Sequence, residues 1–199
     1  MTDISGETAA WQNTDPDQLW VFDKLILARK MGYHAGPAGT DVPEPGYYCV
    51  RPCVNALGLG LGASRQWLDN NTDHLPLGSF WCEWFSGRHL SVDYRYGVQT
   101  LCAEGTNHSR DLSRWQRWQL TEDRAPLPGI LDLFKTRPAV NCEFIGGRLI
   151  EVHLRANPDF RWGNTEYIPV WQGESTHAPN GYRFVADPEL HNRVGAFVR

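Results

Sequence analysis

Glu143, Glu151, His153 and Arg155 fall within one stretch, NCEFIGGRLIEVHLRANPDF (residues 141–160), among residues that prefer burial. EFI and RLIEVHL both have strand character, with Gly146 and Gly147 between them. A two-residue turn would pair Glu143 with Ile150 and send Glu143 and Glu151 to opposite faces, because side chains alternate along a strand. A three-residue loop, Gly146-Gly147-Arg148, would pair Ile145 with Leu149, Phe144 with Ile150 and Glu143 with Glu151; such a loop needs one left-handed position, which suits glycine. The second register sorts the chemistry better. It puts Phe144, Ile150, Val152 and Leu154 on a core face and Glu143, Glu151, His153 and Arg155 on the other. Two opposed carboxylates repel. They are tolerated when a cation lies between them or when one holds a proton. Mg²⁺ is held by one or two carboxylates together with substrate phosphates, and an arginine two positions further on could clamp phosphate oxygens. From spacing alone, a solvated sheet face with Glu and Arg paired across strands accounts for the same pattern.

Around this hairpin the chain predicts alternating elements. Residues 1–15 read as a flexible lead-in. DPDQLWVFDKLILARKMGY reads as one helix, with Asp15 or Asp17 as cap, Pro16 in the first turn, Leu19, Phe22, Ile26 and Met31 near helical spacing, and Gly32 as stop. HAGPAGTDVPEPG is turn chemistry. YYCVRPCV reads as a strand, NALGLGLGAS as a flexible loop with glycines at 58, 60 and 62, and residues 64–70 as a short helix. GSFWCEWF is a strong strand, and HLSVDYRYGVQTLCAEG continues as strands with a turn near Gly97. SRDLSRWQRWQLTEDR and LPGILDLFKTR read as helices; EYIPVWQG and GYRFVADP as late strands. The mixture gives an α+β or mixed α/β class.

The 199 residues are enough for one domain or a two-lobed unit. Hydrophobic residues make up 41% and charged residues 21%, an ordinary globular composition, and the net charge of −4 gives no support for nonspecific nucleic-acid binding. No apolar run is long enough for a membrane span, and the polar N-terminus lacks a hydrophobic signal region. Five scattered cysteines (Cys49, Cys53, Cys82, Cys102, Cys142) read as reduced thiols of a cytoplasmic protein, and their spacing argues against a structural zinc. Most of the nine tryptophans are expected in the core; a stacking wall for a planar ligand is the sharper alternative.

CEFIGGRLIEVHLR resembles the metal-binding hairpin of the ATP-grasp superfamily, as in biotin carboxylase and D-alanine ligase type enzymes. There a Glu or Asp on one strand is followed by Glu-x-Asn, often with an arginine two residues on. Glu143, Glu151 and Arg155 match; His153 stands where asparagine is usual and is a softer ligand than Mg²⁺ prefers. Three further segments agree in order: FDKLILARKMGYHAGP with the Asp-Lys helix and its turn, YYCVRPCVNALGLGLGAS with the strand and glycine-rich lid loop, and FWCEWFSGRHLSVDY with the hinge strand where adenine docks. Together they cover roughly residues 20–160. The resemblance implies a two-lobed ATP-grasp fold gripping ATP, with a smaller lobe at 16–80, a larger lobe at 81–199, and without the domain that usually precedes the Asp-Lys helix.

Carried over, Lys24 would reach nucleotide phosphates, and Arg51 sits where a phosphate-binding lysine is usual. Gly58, Gly60 and Gly62 would let backbone N–H groups approach the phosphates. Glu83 and the backbone of Trp84 and Phe85 would meet the adenine edge. His89 stands where relatives use a glutamate for the ribose hydroxyls. Glu143, Glu151 and His153 would hold Mg²⁺ or Mn²⁺. Asp93 and Arg95 are weaker candidates that a solvated strand face explains as well.

The family's chemistry implies that ATP activates a carboxylate as an acyl phosphate for attack by an amine or thiol, with Lys24, Arg51 and Arg155 supplying positive charge. A phosphotransferase and a non-catalytic nucleotide-binding or interaction module are the alternatives. Partners would be small-molecule or peptide carboxylate and amine substrates. The acceptor pocket would come from residues 157–199, where Asn157, Asp159, Arg161 and Trp162 either line it or close the domain, or from a second subunit or partner protein.

Overall fold

The computed structural model describes residues 4–54, 60–187 and 192–199. In chain order the elements are α1 (Ile4–Gln12), α2 (Lys24–Lys30), β1 (Ala35–Pro37), β2 (Gly46–Pro52), β3 (Ser64–Leu68), β4 (Ser79–Glu83), β5 (His89–Arg95), β6 (Val98–Thr106), β7 (Arg117–Leu120), β8 (Val140–Ile145), β9 (Arg148–His153), β10 (Glu166–Trp171), β11 (Arg183–Ala186) and β12 (Arg193–Val198). They form a four-stranded sheet, β1-β4-β2-β3, and an eight-stranded sheet, β11-β12-β10-β7-β6-β5-β8-β9. Every strand pair is antiparallel.

The α+β expectation holds, and several elements differ from the sequence reading. Where a flexible lead-in is expected, residues 4–12 form α1. The expected single helix after it is two pieces. Pro16–Phe22 is a 3₁₀ segment, and α2 begins anew because the Asp23 carboxylate accepts from the N–H groups of Leu25 and Ile26. Residues 64–70, expected as a helix, supply β3, paired along β2 from Gly46↔Leu68 to Val50↔Ser64. SRDLSRWQRWQLTEDR, also expected as a helix, supplies β7, which bridges β6 and β10. Trp115 and Trp118 have helical spacing, but ladder pairing decides the conformation here. LPGILDLFKTR keeps only a 3₁₀ segment, Gly129–Phe134, and β12 was not anticipated at all.

The hairpin of β8 and β9 is where register matters most. Its turn has two residues, not the expected three: Ile145 pairs with Arg148 and Phe144 with Leu149. Gly146 and Gly147 have φ of 56° and 79°, the two positive values that a type I′ turn demands. A bulge at Ile150 then shifts the ladder, so Glu143 does face Glu151 and Asn141 faces His153. The expected carboxylate pair is therefore present, produced by a tight turn plus a bulge. One consequence differs. Leu149 joins Cys142, Phe144, Val152 and Leu154 in the core, whereas Ile150 faces a cavity.

Gly146 also packs on the backbone of Ser86, so a Cβ there would collide with the Ser86 carbonyl oxygen, while Gly147 faces open space. Gly146→Ala is expected to lower stability by about 2 kcal/mol or more, combining a strained φ with the collision, and Gly147→Ala by about 1 kcal/mol from φ alone. Chemical denaturation of the two variants checks the ranking.

Candidate active site

Alternation along β5 and β8 builds one wall of the site. Val92, Tyr94, Val140, Cys142 and Phe144 enter the core, and the intervening residues turn to the other face. Facing that wall are β2 and β4 of the smaller sheet, with Arg51 opposite Phe80 and Cys49 opposite Cys82. The start of α2 is tied to the end of β2, because the Lys24 N–H donates to the Cys53 carbonyl at 2.8 Å. A cavity of about 820 Å³ lies between these elements. Lys24, Arg51, Gly60, Glu83, Trp84, Phe85, His89, Glu143, Glu151, His153 and Arg155 all line it. Gly62 does not; its positive φ serves a turn against the Pro52 ring. Gly58 lies outside the described residues.

Glu151 and Lys24 form a buried ion pair, 3.0 Å apart, with side chains only 9% and 5% exposed. Burial opposes the charge on Glu151, but Lys24, His153 and Arg51 outweigh it and hold its carboxyl at about 2. Burial and the neighbouring Arg51 depress Lys24, and Glu151 works against them. Glu143 is held below the usual carboxylate range against burial because His89 bonds it, Nε2 to Oε2 at 3.0 Å. His89 is thus committed to a carboxylate, and its ring stands edge-on to Trp115 and Trp118, with centroids 4.6 and 5.5 Å away. Both opposed glutamates are accordingly held below the usual carboxylate range by their neighbours, Glu143 through His89 and Glu151 chiefly through Lys24.

Glu7, on α1, is a residue the sequence reading missed. Its carboxylate lies 3.1 Å from His153 Nδ1 and 2.7 Å from Arg155 Nε, and His153 Nε2 is 3.4 Å from Glu151 Oε1. No motif around Glu7 signals this; only the docking of α1 brings it in. Arg51 donates from Nη2 to the Ile150 carbonyl at 2.9 Å, at the bulge. Its Nε is buried and has no hydrogen-bond partner among the described residues. The Glu83 carboxylate accepts from the His34 N–H at 3.2 Å, so its side chain braces β1, while the chain leaves strand geometry at Trp84.

At the other end of the cavity Asn157, Asp159 and Arg161 join the lining, together with Arg193 from the unanticipated β12. Trp162 instead stacks near Tyr167 in a second core cluster. Asp93 supports this end from behind, accepting from Asn141 Nδ2 and from the Asn157 N–H, each at 2.9 Å. Arg95 is exposed at the far end of β5. Trp84, Trp115, Trp118 and Trp171 line the cavity, so part of the tryptophan content belongs to a wall rather than to packing alone.

Among the described residues no three His, Cys, Asp or Glu side chains converge as a metal cage. Glu143, Glu151 and His153 therefore do not make a closed three-ligand site, and His153 already engages Glu7. Two opposed, ionised carboxylates beside two cations fit an ion that arrives with phosphate oxygens to complete its shell.

No protein-family model and no curated protein matches the sequence. Among solved structures, the chain is similar to N5-carboxyaminoimidazole synthetase from Staphylococcus aureus complexed with ADP (TM-score 0.57, 8% identity, 90% of this chain and 67% of that one). It is also similar to L-amino acid ligase from Bacillus licheniformis (TM-score 0.52, 9% identity, 90% and 66%). The chain spans about two thirds of the length of these proteins. At such identity the likeness is one of fold, and the two-lobed fold expected from the resemblance is the fold observed.

Proposed function

We propose that this chain, which has the ATP-grasp fold, is an ATP- and divalent-metal-dependent ligase that activates a carboxylate as an acyl phosphate for attack by an amine. The observation that carries the reading is the meeting of Lys24, Arg51, Glu143 and Glu151 in one cavity, with the Glu151–Lys24 pair buried and Glu143 opposite Glu151. Glu143 and Glu151 hold Mg²⁺ or Mn²⁺, which when bound neutralises charge on the transferring phosphoryl oxygens.

Lys24 and Arg51 face the nucleotide phosphates, and the unpartnered Arg51 Nε is a donor available to them. The backbone at Trp84 and Phe85 meets the adenine edge, with Trp84 as an apolar neighbour. The carboxylate substrate sits toward Arg155, Asn157 and Arg161. Its oxygen attacks the γ-phosphorus, the bond to the β-phosphate oxygen breaks, and ADP leaves. An amine then attacks the acyl carbon and phosphate departs. Arg155, paired with Glu7 in the cavity wall, adds positive charge at this end.

Hydroxylamine trapping tests the reading without knowledge of the amine. The chain is incubated with ATP, Mg²⁺ or Mn²⁺, a pool of amino acids and short carboxylic acids, and hydroxylamine. The expected result is a hydroxamate formed in step with ADP. A stable phosphorylated product without hydroxamate would identify a phosphotransferase instead, and no ADP release with any acid would overturn the proposal.

A further inference from the structure

The mechanism leaves two sulfur atoms in the cavity wall unused. Cys49 and Cys82 are directly opposed on β2 and β4, both line the cavity, and both are free thiols. Cys49 shares its strand face with Arg51, and Cys82 shares its face with Phe80, so the pair lies beside the phosphate-end cations. We propose that Cys49 and Cys82 form an oxidation site inside the cavity, at which Cys49 attacks a hydroperoxide and Cys82 then closes a disulfide across the two strands.

The geometry permits it. Opposed residues of an antiparallel ladder have Cα atoms roughly 4.5–5.5 Å apart, inside the roughly 4.4–6.8 Å range that disulfides span. The electrostatics favour Cys49 as the attacking sulfur. The hydrogen bond from Cys82 lowers its thiol against the effect of burial, with help from Arg51 and Lys24, to about 7. The bond to Cys49 and burial push Cys82 up, so it stays a thiol and serves as the resolving partner. The remaining cysteines are poor competitors. Burial raises Cys53, Cys102 and Cys142, and none of the three lines the cavity.

In the first step the Cys49 thiolate attacks one peroxide oxygen. The O–O bond breaks, an S–O bond forms, and the departing hydroxide or alkoxide takes up a proton. In the second step the Cys82 sulfur attacks Cys49. The S–S bond forms, the S–O bond breaks, and hydroxide leaves with the Cys82 proton as water. The two thiols lose two electrons and the peroxide gains them.

The test oxidises the full chain with hydrogen peroxide, caps remaining thiols with N-ethylmaleimide, digests without reductant and maps the peptides. A Cys49–Cys82 link is expected, with Cys49 consumed about tenfold faster than Cys53, since thiolate fraction outweighs intrinsic nucleophilicity. Cys53→Ser should retain the link. Cys82→Ser should stop at the sulfenic acid, captured by dimedone on Cys49. A link to Cys53, oxidation of Cys53 before Cys49, or no dimedone adduct in Cys82→Ser would overturn the inference. Adding ADP with Mg²⁺ separates this site from the proposed nucleotide site. Slower oxidation supports both; an unchanged rate of linkage supports the thiol pair and counts against nucleotide binding beside it.

Discussion

Replacing Glu151 with leucine is expected to destabilise the protein by about 3–5 kcal/mol, the usual cost of leaving one member of a buried ion pair without its partner. Lys24 is almost wholly buried, and its closest counter-charge is the Glu151 carboxylate 3.0 Å away. Removing Glu151 leaves an ammonium group beside Arg51, with burial and like charge both acting against it. Lys24→Met should also destabilise, but less, because Glu151 retains His153 and Arg51 as neighbours. The double substitution Lys24→Met/Glu151→Leu should recover most of the loss, since apolar side chains of similar volume satisfy a buried site about as well as an ion pair does. A double-mutant cycle in urea measures the coupling directly. Additive losses would show that the pair is not the unit its geometry indicates. Recovery of stability without recovery of activity would show that the pair is kept for chemistry.

The second large effect concerns Arg51. Arg51→Met is expected to lower kcat/KM for ATP by about 10²–10³, the scale on which a preorganised charge-stabilising donor acts. Arg51→Lys should lose about tenfold, keeping the charge but losing the planar fork. The asymmetry follows from position. One Nη group is fixed on the Ile150 carbonyl at the bulge, and the guanidinium lies over the Phe80 ring, 5.3 Å from its centroid. A lysine can satisfy one of those contacts and still reach phosphate, but it cannot do all three at once. Steady-state kinetics on both variants, with hydroxamate formation as the readout, checks the order. Equal losses in the two would show that fork geometry is irrelevant and only charge counts.

Much of the site is legible in the sequence because its residues sit in strands whose alternation can be worked out by counting. Glu143 and Glu151 could be placed opposite each other by arithmetic, even though the arithmetic assumed the wrong turn. A three-residue loop and a two-residue turn followed by a bulge have the same effect on everything beyond the bulge. They differ only at Leu149 and Ile150, and those two residues are where the reading failed. The bulge itself has a use, since the Ile150 carbonyl accepts from Arg51. What was not legible came from docking. Glu7 lies far from the hairpin in sequence, and nothing local connects α1 to His153 and Arg155. The segments expected as helices at 64–70 and around Trp115 became β3 and β7 because neighbouring strands offered partners that a single-sequence periodicity cannot see. Asp23 restarted the helix that periodicity read as continuous, and in doing so put Lys24 at the first turn of α2, where its chain can reach Glu151.

The central claim is that the cavity binds ATP together with a divalent ion on the Glu143–Glu151 shelf. Glu143→Gln is the cleaner probe of the shelf, because Glu143 is partly exposed and pairs with His89, whereas any change at Glu151 also strands Lys24. The decisive measurement is thermal unfolding of the natural chain and of Glu143→Gln with millimolar ATP, with Mg²⁺, with Mn²⁺ and with a chelator. At ligand concentrations a hundredfold above Kd, binding stabilises the folded state by about 2.7 kcal/mol, which for a chain of this size is a rise in Tm of roughly 5–10 °C. That rise is expected for the natural chain with either metal, and a much smaller one with the chelator or in Glu143→Gln. No shift with either metal would contradict nucleotide binding in the cavity, and an equal shift in Glu143→Gln would contradict the metal shelf.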